Sequence, residues 1–267
     1  MIDIHNHILF GIDDGAQTIE DTLDMARAAH AEGVTDIIAT PHHKIGVYEN
    51  FGPKIKQLAE EVNEAIEAEG IPVKVHPSQE IRIYGDVIED LKTLKALPLV
   101  EGGPYVLIEF PSNEVPIFTE QLFTKLALEG YTPIIAHPER NSELQKNPNK
   151  LVELIELGAL AQVTAGVVCG QLGEYSKQCA EMMIEHRLIH FVASDAHNVT
   201  SRNYYMKEAY EAIEAKYGIE AVNQYKANAE KVLKGEVIKY VSPLTVEKEN
   251  KVEKKGKKKR KKFFGLF

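Results

Sequence analysis

The chain has 267 residues, 44% of them apolar and 27% charged, a globular composition with room for a sizeable core, which excludes disordered, fibrous and miniature disulfide-stapled classes. No window approaches the ~18 consecutive apolar residues of a membrane span, and Met1 leads straight into Ile2-Asp3-Ile4-His5 with no basic leader, so a cytoplasmic location is expected. The net charge of −9 conceals two parts: residues 247–267 hold ten Lys/Arg and three Glu, whereas residues 1–246 hold 21 Lys/Arg against 37 Asp/Glu. An acidic body of this kind argues against nucleic-acid binding, which needs clustered Lys/Arg on one face.

In chain order, strands are expected over 2–5, 36–40, 73–76, 105–109, 133–137, 159–164 and 190–194. They alternate with helices near 18–32, 52–69, 86–96, 117–129, 148–157, 172–187, 202–217 and 219–227. Four junctions, at Gly33, Gly70, Gly130 and Gly158, place glycine where a helix gives way to a strand and a left-handed residue is needed. Seven β/α units imply a parallel sheet, and they suit a distorted, TIM-like (β/α)7 barrel as a single domain over residues 1–245. Residues 246–267 read as a separate flexible polybasic tail. No G-x-G-x-x-G or P-loop opens a helix, so dinucleotide and Walker-type nucleotide binding have no support.

The strand ends carry the chemistry. Strand one ends in His5-Asn6-His7, strand two in Thr40-Pro41-His42-His43, and the third is followed by Gln79-Glu80. The fourth ends in Glu109, the fifth in His137-Pro138-Glu139-Arg140 and the seventh in Ser194-Asp195-Ala196-His197; the sixth lacks such a residue. In a barrel these ends converge on one mouth. Six of the ten histidines sit there with three carboxylates, more donors than the three or so protein ligands of one catalytic zinc, which points to a site for two or three ions. His-x-His on a strand directs both rings to one face.

Other residues read more plainly. His30, His186 and His190 fall in helices or at a strand start and read as structural. His76 precedes Pro77, and His43 projects away from His42, so both stand outside the ligand set. Asp13 and Asp14 lie in a Gly-Ile-Asp-Asp-Gly turn whose simplest account is turn chemistry, although Asp14 is also placed to fold back over the mouth. Cys169 and Cys179 read as reduced thiols. Neither has an Arg six positions on (Tyr175 and Glu185 stand there), which excludes a cysteine-dependent phosphatase.

The motifs Ile2-Asp3-Ile4-His5-Asn6-His7, Ala39-Thr40-Pro41-His42, Gln79-Glu80-Ile81-Arg82, Ile108-Glu109-Phe110, Ala136-His137-Pro138-Glu139-Arg140 and Ser194-Asp195-Ala196-His197 resemble those of the polymerase-and-histidinol-phosphatase (PHP) superfamily. They are most similar to its bacterial tyrosine-protein phosphatase branch, associated with capsular and exopolysaccharide synthesis. The resemblance covers residues 2 to about 240. It implies a distorted seven-stranded barrel, three metal ions, manganese being the expected element, and hydrolysis of phosphotyrosine on a membrane-associated tyrosine kinase. Carried over by motif, the metal ligands are His5, His7, Asp14, His42, Glu80, Glu109, His137, Asp195 and His197.

Ions held by imidazoles and carboxylates lower the pKa of bound water from ~15.7 toward ~7 and supply a hydroxide nucleophile. A phosphomonoester also needs its oxygens clamped, and Arg140 and Arg202, three and five residues beyond His137 and His197, are expected to do this by bidentate bonds. Two alternatives stand beside this reading. One is another metal-dependent hydrolase, of amidohydrolase or deoxyribonuclease type, which would favour a bridging Lys that no strand end supplies. The other is a mainly regulatory kinase-binding protein. The tail, Lys254 to Lys262 followed by Phe263-Phe264-Gly265-Leu266-Phe267, pairs basic with apolar residues and reads as a contact to anionic membrane.

Overall fold

A computed structural model describes residues 1–247; all but the first two residues of the expected tail, 246–267, fall outside the described residues. Among the described residues nine strands follow in order: β1 Ile2–Asn6, β2 Asp36–Ala39, β3 His42–His43, β4 Lys74–Pro77, β5 Glu80–Arg82, β6 Tyr105–Glu109, β7 Thr132–Ala136, β8 Leu160–Thr164 and β9 Phe191–Ala193. All named pairings are parallel, in the orders β1-β2-β4 and β3-β5-β6-β7-β8-β9. Two of the seven expected strands, 36–40 and 73–76, are each continued after a break by a short strand that was not expected: Thr40-Pro41 separates β2 from β3, and Ser78-Gln79 separates β4 from β5. Proline cannot donate to a ladder, which accounts for the first break. The ring closes where Asp195 N–H donates to His5 O (2.9 Å) and His7 N–H to Ala196 O (2.9 Å). Seven strand positions therefore pair cyclically, the barrel order expected from the alternation.

Helices cover the outside: α1 Ile19–Ala31, α2 Gly52–Ala68, α3 Val87–Lys92, α4 Thr119–Leu128, α5 Ser142–Lys146, α6 Asn149–Glu156, α7 Ala165–Val168, α8 Glu174–Glu185, α9 Met206–Tyr217 and α10 Ile219–Lys234. α1 opens with a reciprocal capping box, Asp21 N–H to Thr18 Oγ1 (3.2 Å) and Thr18 N–H to Asp21 Oδ2 (3.0 Å). The four junction glycines all have positive φ, from 67° to 97°. Three helical boundaries differ from expectation by four residues or more, and the short helices α5 and α7 were not expected. α3 stops at Lys92, where the 86–96 reading ran on; α9 begins four residues later than 202; and α10 continues seven residues past 227. The extra length of α10 has a purpose in packing: Ala229 and Val232 join Ile4, Ile38, Tyr105, Leu107, Ile134 and Phe191 in one buried cluster, covering the strand starts.

β1 contains the irregularity that aims the first candidate ligands. Its pairing advances from Asp3 to Asn6 while β2 advances only from Ile37 to Ala39, a β-bulge. The bulge lets Ile4 sit in the inner apolar cluster while His5, the next residue, still reaches the polar mouth. Asp3 fixes this turn of chain to β9, accepting from Ser194 N–H (2.9 Å), Ser194 Oγ–H (2.5 Å) and Asn6 Nδ2 (2.9 Å). After α10 the chain returns along the outside, where Leu244 N–H donates to His186 O (2.9 Å) and Val246 N–H to Asn149 Oδ1 (2.8 Å). No helix among the described residues is long and apolar enough to cross a membrane.

Candidate metal centre and active site

All nine carried-over ligand positions lie at the mouth formed by the strand C-termini and the loop after β1. Seven of them supply three overlapping donor groups, His7, Asp14, His42 and His197; His5, His7 and Glu80; and His42, Glu80 and Glu109, while His137 and Asp195 fall in none of the three. His5 Nε2 lies 3.5 Å from Glu80 Oε2 and 3.3 Å from Asp195 Oδ1, and His7 Nε2 lies 3.6 and 3.4 Å from the same two atoms. His42 faces two carboxylates, with Nδ1 at 2.7 Å from Glu80 Oε2 and Nε2 at 3.2 Å from Asp14 Oδ1. His137 Nε2 is 2.8 Å from Glu80 Oε1. Glu80, wholly buried, is thus shared by four histidines, and Asp195 by His5, His7 and two arginines.

The other face of each ring decides what the inner nitrogens can do. His5 Nδ1 is bonded to Gln162 Oε1 (2.9 Å), His7 Nδ1 to Asp13 Oδ2 (2.7 Å) and His197 Nδ1 to Asp195 O (2.9 Å). Each of these partners accepts, so the proton of a neutral ring sits on Nδ1 and the Nε2 lone pair is left facing the cluster, the arrangement a metal-ligating histidine requires. His5 Nε2 and His7 Nε2 approach to 3.3 Å, and the buried His197 Nε2 has no hydrogen-bond partner among the described residues. Lone pairs converging on one another and on buried carboxylate oxygen are what divalent cations fit.

Without a cation the cluster retains protons in its place. Burial opposes charge on His5, but Glu80 and Asp195 outweigh it and lift the ring to about 9. His42 is likewise lifted to about 11 by Glu80 and Asp14 despite burial. The His197 and His42 rings beside it hold Asp14 well below the usual carboxylate range. Burial beside the Glu80 carboxylate pushes Glu109 up to about 7, and burial beside His7 pushes His197 down to about 4.

Backbone geometry supports the same positions. His137 and Asp195, directly after or near the ends of β7 and β9, have φ of 33° and 52°, a left-handed conformation uncommon in residues with a side chain and concentrated at functional sites. The loop after β1 presses on His7 so closely that a Cβ on Gly15 would fall 2.1 Å from His7 O.

Both expected arginines reach the mouth. Arg140 Nη1 donates to Asp195 Oδ2, and Arg202 donates to Asp195 Oδ2 (3.2 Å) and Asp14 Oδ2 (3.3 Å). Their side chains are 34% and 32% exposed above an acceptor that is 3% exposed, so the guanidinium donors stay open to an incoming anion. Beside Arg140, Glu109, His137, Ser112 and Asn141 enclose a cleft of about 70 Å³. A larger cavity, about 590 Å³, lies at the strand starts by Lys56, His76 and Tyr131. Its charges are already matched, Lys56 with Glu101 (3.0 Å) and Lys92 with Glu129 (2.8 Å), so the mouth remains the site with converging unmatched donors.

Several residues stand differently from the sequence reading. Asp13 is no mere turn former: Oδ1 accepts Gly15 N–H (2.9 Å) as turn chemistry predicts, while Oδ2 bonds His7 and accepts His42 N–H (3.0 Å). The sixth strand is not empty, since Gln162 on β8 holds His5. Arg82 on β5 is a third arginine at the mouth, donating to Glu109 Oε1 (2.8 Å) and Phe110 O (3.0 Å). With β3 present, Lys44 does follow a strand end, yet Glu80, Asp195 and Asp14 pair with histidines and arginines. His43, His76 and His190 are engaged elsewhere, with Asn50 O (3.1 Å), Asp36 Oδ1 (2.9 Å) and Ala161 N–H (3.1 Å). Cys169 and Cys179 are free thiols.

Comparison with known proteins agrees with this architecture. The chain is 45% identical over 267 residues to the tyrosine-protein phosphatase YwqE of Bacillus subtilis (strain 168), covering 100% of both. It is 31% identical over 244 residues to the tyrosine-protein phosphatase CpsB of Streptococcus pneumoniae, covering 89% of this chain and 100% of that one. It superimposes with a TM-score of 0.90 and 46% identity, over 93% of this chain and 100% of the other, on a crystal structure from the set of YwqE and CpsB, described as unique metal-dependent tyrosine phosphatases. The family model for capsular polysaccharide synthesis, CpsB/CapC, matches residues 1–234, and the chain belongs to that family.

Proposed function

We propose that this chain is a metal-dependent protein-tyrosine phosphatase. The observation that carries the reading is the convergence of the His5 and His7 Nε2 lone pairs with Glu80 and Asp195, and of His197 Nε2 with Asp14, beneath two partly exposed arginines. Residues of the three donor groups, with His137 and Asp195, would hold two or three divalent ions, manganese being our expectation. Such ions supply a nucleophile from water at neutral pH and offset phosphate charge.

The chain's own residues then have separate tasks. Asp13, Gln162 and the Asp195 carbonyl keep three rings turned with Nε2 inward. Arg140 and Arg202 bind the phosphate oxygens and orient the phosphorus toward the carboxylate cluster. The shared Glu80 and Asp195 hold the cluster together. A phenolate leaving group, of pKa ~10, departs with less protonation than an alkoxide needs.

As its protein substrate we infer a phosphotyrosine-bearing, membrane-associated tyrosine kinase of polysaccharide synthesis, reached from the cytoplasmic side. Supporting this is the family's link to capsular polysaccharide synthesis. The polybasic end of the sequence would add contact with an anionic membrane surface. The test of the catalytic reading is phosphate release by the native chain, by a chelated sample and by His137→Ala. Activity that survives both chelation and the substitution would defeat it.

A further inference from the structure

A phosphate seated under Arg140 and Arg202 leaves its ester group directed outward, so the rim decides what may be attached to it. On the His42 side the rim is a tight hairpin. Lys44 and Tyr48 pair as an antiparallel bridge, Lys44 N–H donating to Tyr48 O (2.8 Å) and Tyr48 N–H to Lys44 O (2.9 Å). Gly46 turns the tip with φ of 80°, and its N–H is held by Glu49 Oε1 (3.1 Å). Asn50 anchors the hairpin's base, donating to His42 O (2.9 Å) and to Ile12 O (2.8 Å) in the loop that carries Asp13 and Asp14. The half-buried Tyr48 ring is thereby fixed over His42, with centroids 5.7 Å apart and planes 16° from parallel. The tip presents Ile45 and Val47, 52% and 59% exposed, apolar residues that the barrel does not use.

We propose that Tyr48, carried by the Lys44–Tyr48 hairpin, is the specificity residue that receives the aromatic ring of the substrate. This deepens the phosphatase reading and rests on it. A flat aromatic surface beside a ligand histidine offers offset-stacked or edge contact to an aryl phosphate and nothing comparable to the short chain of a phosphoserine. Ile45 and Val47 extend the same wall outward, where residues flanking the phosphotyrosine would pass.

The test separates ring recognition from support of His42. Binding of phenylphosphonate and methylphosphonate to the metal-loaded chain is measured calorimetrically, together with kcat and KM on a phosphotyrosine peptide. For Tyr48→Ala the preference for the phenyl over the methyl compound is expected to fall roughly three- to tenfold. KM for the peptide should rise by a similar factor while kcat changes little, and Tyr48→Phe should restore both. If Tyr48→Ala weakens the two phosphonates equally, or lowers kcat alone, Tyr48 acts by holding His42 and the proposal is overturned. Retention of the phenyl preference in Tyr48→Ala overturns it as well. A parent chain that releases no phosphate from phosphotyrosine defeats the phosphatase reading itself, which the variant comparison does not address.

Discussion

His7 Nδ1 and Asp13 Oδ2 are joined by a 2.7 Å hydrogen bond inside a wholly buried pair of side chains. The bond sets which nitrogen of His7 faces the cluster, and the same carboxylate holds the His42 backbone through its N–H (3.0 Å). Asp13 therefore orients two candidate ligands without belonging to any of the three donor groups.

Removing that orientation should weaken metal binding more than folding. Asp13→Asn is expected to lower metal affinity about 10- to 100-fold, the usual effect of losing a partner behind a ligand histidine. Competition with a chelating dye measures it, and unchanged affinity in a folded variant would show that His7 needs no such support. Gln162→Leu should act in the same direction through His5.

Arg140 and Arg202 are predicted to act on the phosphate rather than on metal loading. Arg140→Ala should lower kcat/KM by about 10- to 100-fold, corresponding to one or two lost charge-assisted hydrogen bonds. The inhibition constant of inorganic phosphate should rise in parallel, and Arg140→Lys should recover only part of the loss because a point charge does not replace the fork. Metal content measured by elemental analysis should stay at the native level; its collapse would move Arg140 from substrate binding to support of Asp195.

Metal uptake should release protons. In the metal-free chain the His5 and His42 rings, lifted to about 9 and about 11, still carry protons at pH 7.5. A cation entering the cluster has to displace them, so about two protons should leave per chain and affinity should fall as pH falls. Titration calorimetry in two buffers of different ionisation enthalpy reads this number directly. Release near zero would mean that the rings are already neutral.

His190 provides a pH effect away from the metals. Burial depresses its pKa to about 4, and its Nδ1 accepts Ala161 N–H, which requires the neutral ring. Between about pH 6.5 and 4 the unfolded chain binds a proton that the folded chain refuses. Stability from this group is thus complete above the unfolded value and lost as pH falls, by about 3 kcal/mol in all. Urea unfolding of the metal-free chain should show a shallower acid decline for His190→Asn, whose amide oxygen can accept the same N–H; identical declines would contradict the assignment.

The positions of the candidate strand-end ligands were legible because the period of a strand and the shared direction of parallel strands leave few places for residues such as His5, Glu109 and His137 to go. Asp13 was hidden because one of its oxygens performs the turn function that its Gly-rich setting suggests, leaving no trace of the other. Gln162 lies mid-strand, two residues before the end of β8, and only the assembled barrel brings it to His5. The breaks at Pro41 and Ser78, and the left-handed His137 and Asp195, arise from closing an irregular ring, a tertiary demand that local propensity does not express.

The most direct measurement is phosphate release at neutral pH from a phosphotyrosine peptide and a matched phosphoserine peptide, with manganese and after chelation. The account predicts release that depends on the metal and is confined to phosphotyrosine. Failure of the manganese-loaded chain to release phosphate from the phosphotyrosine peptide would contradict it.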